Sequence, residues 1–303
     1  ESQKKYNKNN LYLVCPRIFL ITVFRTIFDK QEYSDSDKFY SKERKGKRIQ
    51  YKKFLIKFLK ILKKKYYFNS FIGFNFEFKE EIGMAEACKE LKIPFLLLYK
   101  ESVLSETEIK YLIHFLKKIN QKFNGYKIAV YSNYAKKFLI ESNYANKNDI
   151  KVIGCARLNE SFVFKKVVPK NQILYYAIEN ERGLPNLFIK IYGNKIFKDL
   201  KVHKKYNSKF TWNFLHLKTL KILKKFALNN PEASIIIKVK TGQSFNKKQY
   251  SNLPKNIQVQ YFGVGHKLIE QSKIIIAWNT TAILEGIAAN RFILLPYFHA
   301  KKN

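Results

Sequence analysis

KIIIAWNTTAILEGIAANRFILLPYF, running from Lys273 to Phe298, is the stretch that decides the fold. An apolar run ends at Trp278, short and unbroken, as expected for a parallel strand covered on both faces. Asn279, Thr280 and Thr281 follow at the place where residues of their type start a helix, which runs over Thr281–Ala289. Glu285 stands one turn into that helix, four residues past Thr281 and on the same side of it. Gly286, Ala288 and Ala289 are small enough to let the helix lie close on a sheet. Arg291–Pro296 is a second apolar run. Strand, helix and strand in so few residues make a βαβ crossover, so the sheet is parallel.

The same alternation extends towards the N-terminus. Gly265–Gln271 reads as a short helix, Ile257–Phe262 and Ala233–Lys240 (ASIIIKVK) as strands, Thr211–Leu228 as a helix and Gln172–Ile178 as a strand, with an irregular insertion over Glu181–Lys209. Cys155–Lys170 interrupts the rhythm. Before it, strands at Phe71–Phe76, Pro94–Tyr99, Lys127–Tyr131 and Ile150–Ile153 alternate with helices at Glu80–Lys92, Ser105–Lys122 and Tyr134–Ser142. Ser105 and Glu108 have the spacing of a capping box. Tyr51–Lys65 (YKKFLIKFLKILKKK) spaces its apolar residues as a helix does, with lysines between them. Leu11–Phe24 reads as an apolar first strand, with a run into a helix left open as an alternative, and Lys30–Gln50, with SDSD and KERKGKR, as a mobile loop. Two β/α series meeting near residue 160 predict an α/β protein of two Rossmann-like domains, 1–160 and 161–303, facing a central cleft.

Composition narrows the function classes. The chain has 303 residues, 46% apolar and 16% aromatic, enough for two packed cores. Its formal charge is +35, almost all from lysine. Abundant Asn, Ile, Tyr and Phe accompany the lysines, so a bias toward AT-rich codons accounts for part of the excess. The remainder favours polyanionic neighbours such as phosphates, acidic lipid surfaces or nucleic acid. Cys15, Cys88 and Cys155 form no CxxC pair and the histidines are scattered, which fits a reducing, cytoplasmic setting without disulfides or zinc. Leu11–Phe24 is too short to span a bilayer, and no small-residue cleavage site follows it. No GxxxxGK(S/T), GxSxG or GxGxxG occurs, and no RNA-binding motif appears. Asp35-Ser36-Asp37 is a DxD triplet in a charged loop with no strand before it, and it is not read as a metal site.

A helix start exposes free N–H groups that suit a diphosphate, and Thr280 and Thr281 add hydroxyl donors there. Glu285 is placed to accept hydrogen bonds from ribose hydroxyls. The pattern of Lys273–Phe298 resembles the donor-binding half of GT-B glycosyltransferases, closest to the surface-carbohydrate (capsule and lipopolysaccharide) kind. CDP-glycerol glycerophosphotransferases and UDP-GlcNAc 2-epimerases are relatives of that kind. DIKVIGCARLN (Asp149–Asn159), SIIIKVK (Ser234–Lys240) and GHKLIEQSKIIIAWNTT (Gly265–Thr281) resemble further segments of it. Ala156, Asn159 and Asn290 depart from its usual proline, aspartate and glycine, and no His-Pro pair follows Val239.

The resemblance implies a metal-independent GT-B enzyme that moves a sugar from a nucleotide-sugar to a glycan or lipid-linked acceptor in surface polysaccharide biosynthesis. The nucleotide-sugar is its substrate, and no separate cofactor is expected. Lys238, Lys240, Asn279, Thr280, Thr281 and Glu285 are the expected donor-binding residues. Glu101 and Glu77, at the ends of first-domain strands, are the expected general bases. The lysine-rich helix over Lys52–Lys65 suits an anionic membrane surface, which places the protein peripherally at the inner face of the cell membrane. Two other readings stay open: a glycerophosphotransferase or nucleotide-sugar epimerase of the same fold, and a basic nucleic-acid-binding protein.

Overall fold

The computed structural model describes residues 15, 17–29, 32, 36–99, 106–155, 158, 169–177, 212–239, 247–278 and 280–296. The chain divides into two compact units, Glu1–Glu160 and Ser161–Asn303. Each is built on a parallel sheet, as expected from the short, continuous apolar runs.

In the first unit, α1 (Arg17–Ile27), α2 (Ser36–Tyr40), a 3₁₀ turn at Lys42–Arg44 and α3 (Lys45–Tyr66) precede the sheet. Then β1 (Phe71–Gly73), α4 (Lys79–Glu90), β2 (Phe95–Leu98), α5 (Glu106–Lys118), β3 (Lys127–Val130), α6 (Asn133–Glu141) and β4 (Ile150–Val152) alternate. The strands pair in parallel in the order β1-β2-β3-β4. That order never reverses, so the described sheet has no switch point. Ser105, with its expected capping box, lies outside the described residues.

Two expectations fail at the N-terminal end. From Arg17 onward Leu11–Phe24 is helix, so the strand reading does not hold there and the run into a helix does: Leu20 and Phe24 fall four residues apart on one buried stripe of α1, with Phe28 continuing it. Phe24 stacks on Phe28 at 4.3 Å between ring centroids, and both meet Tyr51 of α3 edge-on. Charged residues 42–50 are helical rather than a loop. Their cations have fixed partners: Lys47 donates to Glu32 at 2.8 Å, Arg44 pairs with the same carboxylate, and Arg48 donates to the carbonyls of Phe39 and Ser41.

The second unit contains β5 (Lys170–Ala177), α7 (Trp212–Asn229), β6 (Ser234–Val239), β7 (Ile257–Gln260), α8 (Gly265–Gln271), β8 (Ser272–Ile276), α9 (Ala282–Ala288) and β9 (Phe292–Leu294). Its five strands are parallel in the order β7-β6-β5-β8-β9. The chain builds outward from β5 to β7, then crosses back and builds the other way through β8 to β9. Between β5 and β8 the direction of winding therefore reverses, as in a doubly wound dinucleotide-type sheet. Tyr175, Ile235, Ile237 and Val239 pack on one face under Leu220, Leu223 and Ala227 of α7. Leu174, Ile236 and Ile275 pack on the other, under Leu268 and Ile269 of α8 and Ala282 of α9. Cover on both faces is why Ile235–Ile237 of β6 reads as an unbroken apolar run. The insertion expected at Glu181–Lys209 lies outside the described residues.

Candidate functional site

In an open parallel sheet, ligands settle outside the carboxyl ends of the strands where winding reverses. For this chain that place is the end of β5 at Ala177 and the end of β8 at Ile276. The segment that leaves β8 there is Ala277–Thr281, the turn singled out from sequence. Trp278 anchors it: the indole Nε1 donates to the carbonyl of Pro296 at 2.8 Å, and the ring meets Tyr175 edge-on at 5.9 Å. The Ala277 N–H also donates to the carbonyl of Leu294. Thr280 Oγ1 accepts the Ala282 N–H at 3.3 Å. Thr281 occupies the N-cap position without a capping bond from its own hydroxyl, so Thr280 does the capping expected of both.

Glu285 is buried, 7% exposed, within the first turn of α9. Gly286 behind it faces the sheet so closely that a Cβ would lie 2.6 Å from Ile293 Cδ1 and 2.7 Å from Ile275 Cδ1. Glycine is thus what holds Glu285 this near the strand ends. Asn290, where the resembled pattern has glycine, adopts φ 55, a left-handed conformation that asparagine tolerates better than most side chains. Arg291 then ties the end of α9 to α8, donating to the carbonyls of Ile269 and Glu270.

Lys238 is the second buried charge, 6% exposed near the carboxyl end of β6. Its Nζ donates to the carbonyls of Val239 at 3.0 Å and Tyr261 at 3.4 Å. Burial holds this ammonium below the ordinary lysine value. No carboxylate pairs with it among the described residues. Lys238 alternates in step with Ile236 and so shares the α8–α9 face of the sheet. β6 and β8 are separated by β5 alone, so two strand spacings, roughly 10 Å, separate their ends. Lys238, Thr280 and Glu285 therefore gather at one end of one sheet, beside the switch point. Lys240 and Asn279 lie outside the described residues.

Sequence reading missed the support beneath this turn. His216 of α7 sits between two phenols, with Tyr175 Oη 2.7 Å from Nδ1 and Tyr250 Oη 2.9 Å from Nε2. Burial pushes its imidazole down to about 4. Nothing local in the sequence links residues 175, 216 and 250; only the fold brings them together.

In the first unit β1 ends at Gly73, not at Phe76 as expected, so Glu77 lies in the turn beyond it, with Oε1 3.5 Å from the Tyr99 hydroxyl just past β2. Glu101 lies outside the described residues. A carboxylate that sequence reading did not select, Glu81, accepts the Phe74 and Asn75 N–H groups at 2.7 and 3.0 Å and so shapes the turn after β1. Burial raises its carboxyl above the usual range. Among the described residues no His, Cys, Asp and Glu cluster suits a metal ion. Asp35 of the DxD triplet lies outside them.

No protein-family model matches the chain, and no curated protein is similar to it in sequence. Among solved structures it is similar to UDP-GlcNAc 2-epimerase from Neisseria meningitidis bound to UDP-GlcNAc: 12% identity, 84% of this chain, 66% of that one, TM-score 0.46. Arabidopsis thaliana UGT89C1 complexed with UDP is similar at 10% identity over 90% of this chain and 64% of that one, TM-score 0.47. Anabaena HepE in complex with UDP-glucose is similar at 10% identity over 78% and 62%, TM-score 0.44. The chain thus spans 62–66% of the length of these proteins. Likeness this distant carries no functional information by itself.

Proposed function

We propose that this chain is a nucleotide-sugar-dependent glycosyltransferase of the GT-B type, with the donor bound by the second unit. The observation that carries the reading is the strand order β7-β6-β5-β8-β9, which puts the Thr280–Thr281 turn at the switch point, with the buried Lys238 and Glu285 on the same edge. An ammonium whose partners are two carbonyls is suited to an anionic oxygen, because charge-assisted bonds are the strong ones. In this reading Lys238 and the Thr280 hydroxyl take the diphosphate and stabilise it as it leaves with its charge. Glu285 takes the ribose hydroxyls. The acceptor is a hydroxyl of a glycan or a lipid-linked sugar, as in the surface-carbohydrate assembly that Lys273–Phe298 resembles, and Glu77 is its general base.

The test is a thermal-shift panel of CMP, CDP, UDP, GDP and ADP, each beside its nucleoside and with a single-stranded oligonucleotide for contrast, followed by calorimetry of the best nucleotide. A diphosphate that raises the melting temperature more than its nucleoside supports the reading. Stabilisation by oligonucleotides and by no nucleotide would sink it. Incubating the protein with the matching nucleotide-sugar and following the sugar by NMR then separates transfer from epimerisation at one carbon.

A further inference from the structure

The outer face of α3 is the longest basic surface among the described helices. Its 22 residues make a rod roughly 33 Å long. Tyr51, Leu55 and Leu59 face inward, and no Asp or Glu occurs anywhere in it. Lys47 and Lys52 are held by Glu32 and Glu90. Lys53, Lys57, Lys60 and Lys64 recur at three- and four-residue spacing, so they form one line along the centre of the exposed face. None of the four makes an ion pair among the described residues. Apolar side chains flank that line: Ile49, 41% exposed, on one side, and Phe54 and Ile61, 40% and 67% exposed, on the other. Phe54 stacks on Phe58, and Phe58 meets Phe19 of α1 at a tilt, which carries the apolar flank across to Ile18, 65% exposed. The exposed residues of α1 likewise include no acid.

We propose that this face of α1 and α3 docks on an anionic lipid bilayer, with the four lysines among the headgroups and Ile18, Phe54 and Ile61 entering the interface. Charge complementarity selects the partner's sign, and the aliphatic side chains select its kind. Isoleucine gains nothing from a phosphate backbone in water, whereas an interfacial helix gains by burying such groups at the headgroup–acyl boundary. A line of lysines along that boundary adds electrostatic attraction that salt screens. No described helix is long and apolar enough to cross a membrane, so the contact is one of lying on the surface. This proposal stands independently of the nucleotide site.

The experiment is flotation with vesicles of phosphatidylglycerol and phosphatidylcholine in equal parts, against phosphatidylcholine alone. Two quadruple variants remove the same charge: Lys53→Gln with Lys57→Gln, Lys60→Gln and Lys64→Gln on α3, and Lys218→Gln with Lys221→Gln, Lys225→Gln and Lys255→Gln in the second unit. All eight positions are exposed, and glutamine matches lysine in helix propensity, so melting curves should coincide with wild type. The α3 set is expected to weaken binding to the anionic vesicles by about tenfold or more, and the second-unit set by far less. Ile61→Ser should lower the binding that survives raised salt. Equal loss from both sets would show that total charge is responsible and overturn the assignment. It is also overturned if the α3 set spares vesicle binding while abolishing binding to a single-stranded oligonucleotide.

Discussion

Glu285 and Lys238 are acid and base buried at the carboxyl end of one sheet, and the proposed function gives them separable tasks. Glu285→Gln keeps the shape of the side chain, and the helix-dipole gain it forgoes is about 0.3–1 kcal/mol of stability. Its effect on nucleotide affinity is larger, about tenfold to a hundredfold, the worth of a charged hydrogen bond. Calorimetry of wild type and variant with the best nucleotide checks both, and unchanged affinity in a folded variant removes Glu285 from the ribose. Lys238→Met should weaken the diphosphate by a similar factor and leave the nucleoside alone; equal loss for both would mean that the lysine merely supports the strand end. Glu285 was legible in the sequence because the strand before it and the helix carrying it are both local. Lys238 was legible only as one lysine of many until its burial singled it out.

The supporting elements make two predictions about stability. Gly286→Ala puts a methyl against the Cδ1 atoms of Ile275 and Ile293, and an overpacking cost of roughly 1–3 kcal/mol is offset by about 1 kcal/mol of helix propensity, leaving a net loss of up to about 2 kcal/mol. A melting temperature at or above wild type would show that the ends of Ile275 and Ile293 yield and that glycine is not required under α9. His216 between Tyr175 and Tyr250 has its folded value lowered from 6.5 to about 4. With the folded value below the unfolded one, the neutral ring's contribution is complete above pH 6.5. It is lost progressively as pH falls towards 4, by roughly 3 kcal/mol in all. Denaturant melts across that range should be flatter for His216→Phe than for wild type; equal slopes would show that another group titrates. Parallel strands were legible because cover on both faces leaves an unmixed apolar run, as in Ile235–Ile237. The order of strands was not, since the pairing of Tyr175 with Ile276 spans the whole unit and leaves no local trace. Helix α1 was misread because its sequence, RIFLITVFRTI, is apolar around most of its circumference. The helical start of α3 was misread because the partners that fix Lys47 and Arg48, namely Glu32, Phe39 and Ser41, lie outside the helix, where no helical spacing shows them.

A charge of +35 on 303 residues acts on the whole molecule at once. Self-repulsion opposes compaction, so raising ionic strength from about 0.01 M to about 0.15 M should raise the melting temperature of the chain. A falling melting temperature would mean that the native ion pairs, such as Lys47–Glu32 and Arg17–Glu80, outweigh that repulsion. The same charge has a second consequence through β9. Among the described residues no strand lies beyond it, and Phe292 and Leu294 are 72% and 49% exposed. A strand edge that is unpaired among the described residues, with apolar side chains exposed beside it, is a template on which a second molecule can add its own strand. Electrostatic repulsion between like-charged molecules holds such encounters apart in dilute buffer. Salt that tightens each molecule therefore also brings molecules edge to edge, so the condition of greatest folding stability is not the condition of greatest colloidal stability.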